Sequence, residues 1–247
     1  MSVNSDFSPI PTIFHITHEK SGSQWIRAIL TQCFPDIIVN PHWQQKQFFV
    51  TPLQEGKIYP GLFISKEEFY RVNLPSNYKK IIVIRDLRDT FISLYFSLKI
   101  SHVILNSEMK ERRETLNSLS INEGLKFMIN SNMLNHAHDI QTSWIDSKEK
   151  IIKYEDLLEN DEQILDDLLI NDFKLPISRK QLKKIIIDNK FKNVSGRDRG
   201  IEDITTHYRK GIQGDWQNYF TPEIKLLFKD KYGIHLVKTG YEYDSNW

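Results

Sequence analysis

Apolar and polar positions alternate along the chain in a way that separates short apolar runs from amphipathic stretches. Ile13-Phe14-His15-Ile16 is the first apolar run, and the amphipathic Ile26-Arg27-Ala28-Ile29-Leu30 follows it across a polar loop; the order predicts strand, tight loop, helix. Asn40 to Tyr59 is irregular and rich in Pro, Gln and aromatic residues, and Gly61-Leu62-Phe63-Ile64-Ser65 reads as a second strand. Lys66 to Leu74 reads as a helix that Pro75 ends. Lys80-Ile81-Ile82-Val83-Ile84-Arg85 sets four β-branched residues between polar flanks, the pattern of a strand buried on both faces in a parallel sheet. Asp86 to Lys99 is predicted helical, helical patterns fill much of Ser107 to Trp144, and Lys150-Ile151-Ile152-Lys153-Tyr154 forms another short strand. Glu155 to Asp172 carries eight acidic residues and no basic one, whereas the next helix, Arg179 to Asn189, is basic, with Ser178 at its N-cap. Two solvated faces are the simpler reading of that pair; an intramolecular charge match is the other. Thr221-Pro222-Glu223 begins a helix with proline at its first position. Strands alternating with helices predict an α/β fold with a central, mostly parallel sheet flanked by helices. With no internal repeat or low-complexity linker, residues 1–247 read as one domain.

Composition narrows the possibilities. Hydrophobic residues make up 40% of the 247, enough for a real core. Lys+Arg number 33 against 32 Asp+Glu, so bulk charge offers nothing to nucleic acid or an anionic membrane, and any anion binding must come from local placement. Cys33 is the sole cysteine, which excludes an internal disulfide and fits a reducing compartment. Met1 to Pro11 lacks an apolar segment of signal-peptide length and no stretch approaches a membrane span, so the expected location is cytoplasmic.

The candidate chemistry lies in three segments. His18-Glu19-Lys20-Ser21-Gly22-Ser23-Gln24-Trp25 brings a lysine, small hydroxyls and a glycine to a helix start, where free N–H groups and the helix dipole favour an anion. It is not a Walker loop, because Phe14 and Glu19 occupy both glycine positions of Gly-x-x-x-x-Gly-Lys-Ser/Thr. Arg85 ends the buried strand, at the carboxyl edge where open α/β sheets bind ligands, and Ser93 lies two helical turns later. Tyr208-Arg209-Lys210-Gly211-Ile212-Gln213-Gly214-Asp215-Trp216 is a cationic flap whose glycines allow close backbone approach to a ligand. Each segment also has a plain structural reading: a capped helix with a surface lysine, an Arg85–Asp86 ion pair, a surface loop with a packed tryptophan. His136-Ala137-His138, the one close histidine pair, lacks zinc-motif spacing and reads as exposed.

Taken together, these segments resemble the sulfotransferases that use 3′-phosphoadenosine 5′-phosphosulfate (PAPS). Lys20-Ser21-Gly22-Ser23-Gln24-Trp25 is similar to the family's Lys-Ser-Gly-Thr-Thr-Trp loop, Arg85 and Ser93 to its arginine–serine pair, Tyr154-Glu155-Asp156-Leu157 to its Tyr-Glu-Asp-Leu segment, and Arg209 to Trp216 to its Arg-Lys-Gly-x-x-Gly-Asp-Trp run. The resemblance implies a P-loop-like nucleotide-binding core. Lys20, Ser21, Gly22, Ser23, Gln24 and Trp25 would hold the 5′-phosphosulfate, with Trp25 near the adenine and Lys20 stabilising the leaving phosphate in an in-line displacement. Arg85, Ser93, Arg209, Lys210 and Gly211 would bind the 3′-phosphate, while Tyr154 and Phe191 would contact the adenine. The product nucleotide would be adenosine 3′,5′-bisphosphate (PAP), and no metal is needed.

The chain departs from the family at the catalytic base. Cytosolic members carry a histidine before the second motif, but Gly61 to Glu68 holds none, leaving Glu67, Glu68, His42 and His18 as candidates. Gln24 stands where the family has threonine. The acceptor is expected to be a small molecule, sulfated on a hydroxyl or an amine, bound by Asn40 to Tyr59 (with His42, Trp43, Phe48, Phe49 and Tyr59) and by the helices between Ile100 and Trp144. No family dimerisation segment is recognisable, so the oligomeric state stays open. A nucleotide kinase-like phosphoryl transferase and a non-catalytic bisphosphonucleotide-binding protein are the competing readings.

Overall fold

Residues 10–40 and 46–247 are described by the computed structural model of the protein. Four strands, β1 Thr12–Ile16, β2 Ile58–Leu62, β3 Tyr78–Ile84 and β4 Ile151–Lys153, pair in parallel in the order β2-β1-β3-β4. Thr12 to Ile16 align with Tyr78 to Ile82, so the polar ends of β1 and β3 lie side by side. Besides four short 3-10 or π segments, eleven α-helices lie among the described residues: α1 Ser23–Cys33, α2 Lys46–Val50, α3 Lys66–Phe69, α4 Leu87–Phe96, α5 Ser107–Ser118, α6 Ile121–Asn130, α7 Asn135–Ile145, α8 Tyr154–Leu165, α9 Arg179–Asp188, α10 Phe191–Ser195 and α11 Pro222–Lys238.

The two-residue period of the strands sorts their side chains between two cores. Ile13, Ile81 and Val83 pack with Ile26, Ile29 and Leu30 of α1 and with apolar residues of α8 and α9. Phe14, Ile16 and Ile82 face the other way, against Ile140 and Trp144 of α7 and Phe69 of α3. A third cluster joins α4, α6 and α11 through Phe91, Met128 and Phe228. These helices carry the segments that surround the carboxyl edge of the sheet.

Several boundaries differ from the sequence reading. The second strand is Ile58–Leu62 and not 61–65, and it contains Pro60. Proline is tolerated there because β2 is an edge strand. The helix expected over 66–74 stops at Phe69. Phe48 and Tyr59, expected at an acceptor pocket, instead stack around Phe14 at ring separations of 5.9 and 5.2 Å. The acidic and basic helices do match in charge: Arg179 pairs with Asp166 at 3.0 Å, Lys183 with Glu162 at 2.9 Å and Lys190 with Asp161 at 3.4 Å. No helix of the described residues is long and apolar enough to cross a membrane.

Candidate active site

The loop between β1 and α1 is held in shape by its own polar groups. Lys20 adopts a left-handed backbone (φ 64°), as does Gly22 (φ 84°), which caps α1 without a side-chain bond. The first turn of α1 carries no acidic residue. Its N–H groups are therefore directed out of the helix with no side-chain acceptor, the arrangement that receives an anion. Gly22 is required for a second reason: a Cβ there would lie 2.6 Å from the ring of Tyr154. The Ser21 hydroxyl bonds to the Thr17 hydroxyl and the His18 carbonyl, and Thr17 Oγ1 donates to the Val83 carbonyl at 3.0 Å. Ser21 thus uses its side chain to tie the loop to β3.

His18 fixes this loop against two neighbours. Its Nε2 accepts from the Arg85 backbone N–H at 3.3 Å and from Gln141 Nε2 at 2.8 Å, so its Nδ1 carries the proton and donates to the Glu19 carbonyl at 2.8 Å. Burial lowers its pKa to about 4. With both nitrogens engaged and no solvent exposure, His18 is structural, which removes it from the candidate bases.

Arg85 projects from the end of β3 across the loop. Its Nη1 donates to the Lys20 carbonyl at 2.9 Å, and its guanidinium lies 4.7 Å from the centre of the Tyr154 ring. Asp89 of α4 sits 3.9 Å from Arg85 and accepts from the backbone N–H groups of Gly214 at 2.7 Å and Trp216 at 3.0 Å. The distant Arg-Lys-Gly segment is drawn onto the start of α4 in this way. Within it, Asp215 takes up Lys210 at 2.6 Å and also pairs with Arg209. Although burial opposes ionisation of Asp215, these cations outweigh it and hold the carboxyl below its ordinary range. The Phe191 ring packs on Gly211, where a Cβ would come within 2.4 Å.

Lys20, Ser93 and Arg209 line one pocket together with Thr206 and His207. Residues of all three candidate segments therefore border one cavity. Burial, and then the positive charges of Arg85 and Arg209, lower the Lys20 pKa to about 8. No carboxylate pairs with Lys20 among the described residues. Two buried donors, Trp25 Nε1 and Arg85 Nε, also lack a partner among the described residues. Unpaired buried donors beside crowded cations are costly unless an acceptor arrives.

A Sulfotransferase domain model matches residues 64–240, more than half of the chain. The chain belongs to the sulfotransferase family. The match begins after the Lys20 loop, so that loop's part in the site rests on its residues and geometry. Among solved structures, mouse sulfotransferase SULT7A1 complexed with PAP is similar at a TM-score of 0.61 and 18% identity, over 95% of this chain and 90% of that one. Retinol dehydratase in complex with androsterone and inactive cofactor PAP gives 0.56 and 13%, over 91% and 80%. The same enzyme with retinol and PAP gives 0.53 and 15%, over 91% and 81%. These likenesses establish the shared fold. No curated protein matches the chain by sequence.

In this sulfotransferase the remaining expectations fare unevenly. Gln24 is exposed, whereas Trp25 packs edge-on to Tyr154 at 6.3 Å. Glu68 completes the α3 capping box, accepting from the Ser65 N–H at 2.8 Å, and Glu67 is exposed. His42 and Trp43 lie outside the described residues. Among the described residues no cluster could hold a metal ion. Of the histidine pair expected to be exposed, His136 is, with its Nδ1 3.1 Å from Glu19 Oε2, whereas His138 is half-buried, its ring 4.8 Å from that of His235. Sequence reading also missed His102 and His207, whose rings lie 6.3 Å apart. Burial lowers the pKa of both, and Lys20 adds to the shift. The partners in both pairs, Glu19 with His136 and His102 with His207, come from segments remote in sequence, so no local motif announced either contact.

Proposed function

We infer that the protein transfers a sulfuryl group from PAPS to a hydroxyl or amine of a small-molecule acceptor. The observation that carries this reading is the convergence of Lys20, Arg85 and Arg209 on the uncapped start of α1, beside the unpartnered donors Trp25 Nε1 and Arg85 Nε. That donor set fits a nucleotide bearing anionic groups at both ends of its ribose. PAPS, when bound, supplies an activated sulfuryl group. The first turn of α1 and Lys20 would receive its 5′ end, and Lys20 would stabilise the charge that grows on the leaving phosphate. Arg85, Ser93, Arg209, Lys210 and Gly211 would receive the 3′-phosphate, and Tyr154 and Phe191 would flank the adenine. The neighbours crystallised with androsterone and retinol support an apolar organic acceptor here.

Calorimetry with PAP against ATP tests the nucleotide. Tight PAP binding with weak ATP binding is expected, and the reverse preference would overturn the reading. Incubation with PAPS and a mixture of phenols, alcohols and amines, read by mass spectrometry, tests transfer.

A further inference from the structure

We propose that Tyr241 to Trp247, which follow α11, form a strap that positions the 3′-phosphate half of the site, with Arg88 as its anchor. The inference rests on the sulfuryl-transfer reading above. The sulfotransferase domain match ends at residue 240, and the strap starts at the next residue.

The strap meets three segments remote from one another in sequence. At the β4–α8 junction the Tyr241 hydroxyl donates to Glu155 Oε2 at 2.7 Å, and the Lys153 ammonium lies 4.4 Å from the centre of the Tyr241 ring. Glu155 uses its other oxygen to accept from the Asp86 backbone N–H at 3.1 Å, one residue after Arg85. At the start of α4, Arg88 is buried and grips Asp86 through Nε at 3.0 Å and Nη2 at 2.7 Å. Its Nη1 donates to Glu242 of the strap. At the Arg-Lys-Gly segment, Trp247 packs edge-on to Trp216 at 5.9 Å. The Arg88 guanidinium lies 4.1 Å from the centre of the Trp216 ring and 4.7 Å from that of Trp247.

Each of these contacts lies one step behind a residue read as a nucleotide ligand. Glu155 follows Tyr154, and Asp86 follows Arg85. The Trp216 N–H donates to Asp89, which stands 3.9 Å from Arg85, and Asp215 beside it holds Arg209 and Lys210. Ligands carried on separate segments bind a phosphate well when they are in register before it arrives. Arg88 depends on the strap in turn. Burial opposes its charge, and Asp86 and Glu242 outweigh that effect; removing one partner of a buried ion leaves charge uncompensated. Trp247 Nε1 is shielded from solvent and has no acceptor among the described residues, so ring contacts, not a hydrogen bond, seat this side chain. Lys225 and Lys229 of α11 lie 5.4 and 5.2 Å from its centre, so the ring bridges α11 to Arg88.

The test uses the full chain with Trp247→Ala, Trp247→Phe and Glu242→Gln. Calorimetry compares PAP with adenosine 5′-phosphate, which lacks the 3′-phosphate. A wild type that does not prefer PAP overturns the nucleotide reading, and the proposal with it. Given that preference, Trp247→Ala is expected to weaken PAP binding by about 2–30-fold, the scale of a cation–π contact, with adenosine 5′-phosphate unaffected. Glu242→Gln should act in the same direction, and Trp247→Phe, which keeps a ring between Arg88 and Trp216, should restore most of the loss. In transfer assays Trp247→Ala should raise KM for PAPS and leave kcat nearly unchanged, a split that general loss of structure would not give. Unchanged PAP affinity in Trp247→Ala, or equal weakening of both nucleotides, would overturn the proposal while leaving the nucleotide reading intact. A nucleotide-free readout is hydrogen exchange at the Gly214 and Trp216 amides, which donate to Asp89. Exchange there should quicken in Trp247→Ala while the amides of β3 keep their rates, and return toward wild type in Trp247→Phe. Exchange at 214 and 216 indifferent to Trp247 would equally sink the strap, whichever nucleotide binds.

Discussion

Arg85 donates through Nη1 to the carbonyl oxygen of Lys20 at 2.9 Å, so the residue read as the 3′-phosphate ligand also holds the backbone of the residue read as the 5′ ligand. Lys20 is a non-glycine residue in the left-handed region, a conformation that costs on the order of 1 kcal/mol or more and persists only when neighbours enforce it. Arg85→Ala removes both a cation and that constraint. Charged hydrogen bonds are worth about 1.5–3 kcal/mol, so PAP affinity should drop by at least about tenfold, with kcat falling as well. Arg85→Lys should rescue little, since an ammonium lacks the fork that spans Lys20, Asp89 and a phosphate. Calorimetry and steady-state kinetics on the pair check this; a fully active Arg85→Lys would contradict it.

Lys20 should govern the alkaline side of the pH profile. Its ammonium is the form that stabilises a leaving phosphate, and in the free protein that form is lost as pH rises through about 8. The limb of kcat/KM, which reports the free enzyme, should fall near that pH. Lys20→Ala should cost roughly 10²–10³ in kcat and remove the limb. Near-wild-type turnover in Lys20→Ala would exclude the assigned role.

The two aromatic-on-glycine contacts should be intolerant of a single methyl group. Gly22→Ala would press on Tyr154 and force a left-handed alanine, and Gly211→Ala would do the same against Phe191. The backbone penalty alone is about 1–2 kcal/mol. Because Phe191 and Gly211 lie at the periphery, Gly211→Ala should weaken PAP binding with a small change in melting temperature. Gly22→Ala, next to the core-facing Tyr154, should lower both. Differential scanning fluorimetry with and without PAP separates the two outcomes.

How much of this was legible beforehand varies residue by residue. Ile81 to Ile84 announced β3 because a strand buried on both faces is apolar without alternation, and that strand carries Arg85 to the site. The Arg209–Trp216 run was legible because its residue types are unusual in combination. The limits of β2 were not: the apolar pattern reads as a strand from Gly61 to Ser65 after an irregular Asn40 to Tyr59, and only the edge position of the strand explains why Pro60 is accepted within it. The charge match between α8 and α9 stayed open because composition does not say which faces meet. Glu19 and His136 lie 117 residues apart. The link between them passes through the packing of α7 on the β1–α1 loop, which no local periodicity encodes.

The same polar core predicts a marked sensitivity to acid. His15, His18 and His235 are buried and neutral, with pKa values lowered by burial to about 3, 4 and 3. His18 and His235 are joined through Gln141, whose Oε1 accepts from His235 Nε2 at 2.9 Å. All three folded values lie below the unfolded value, so near neutrality they contribute nothing to the pH dependence. As pH falls below about 6.5, the unfolded chain takes up protons that the native state refuses, and stability is lost. By pH 4 the loss is roughly 3 kcal/mol for each histidine. Together that rivals the 5–15 kcal/mol of a typical domain. Unfolding monitored by circular dichroism at fixed urea should therefore show a midpoint that collapses between pH 6 and 4. NMR of the native protein should show the three rings still neutral at pH 5. Rings that titrate near 6.5 in the folded state would mean that the His18–Gln141–His235 chain is not closed in solution.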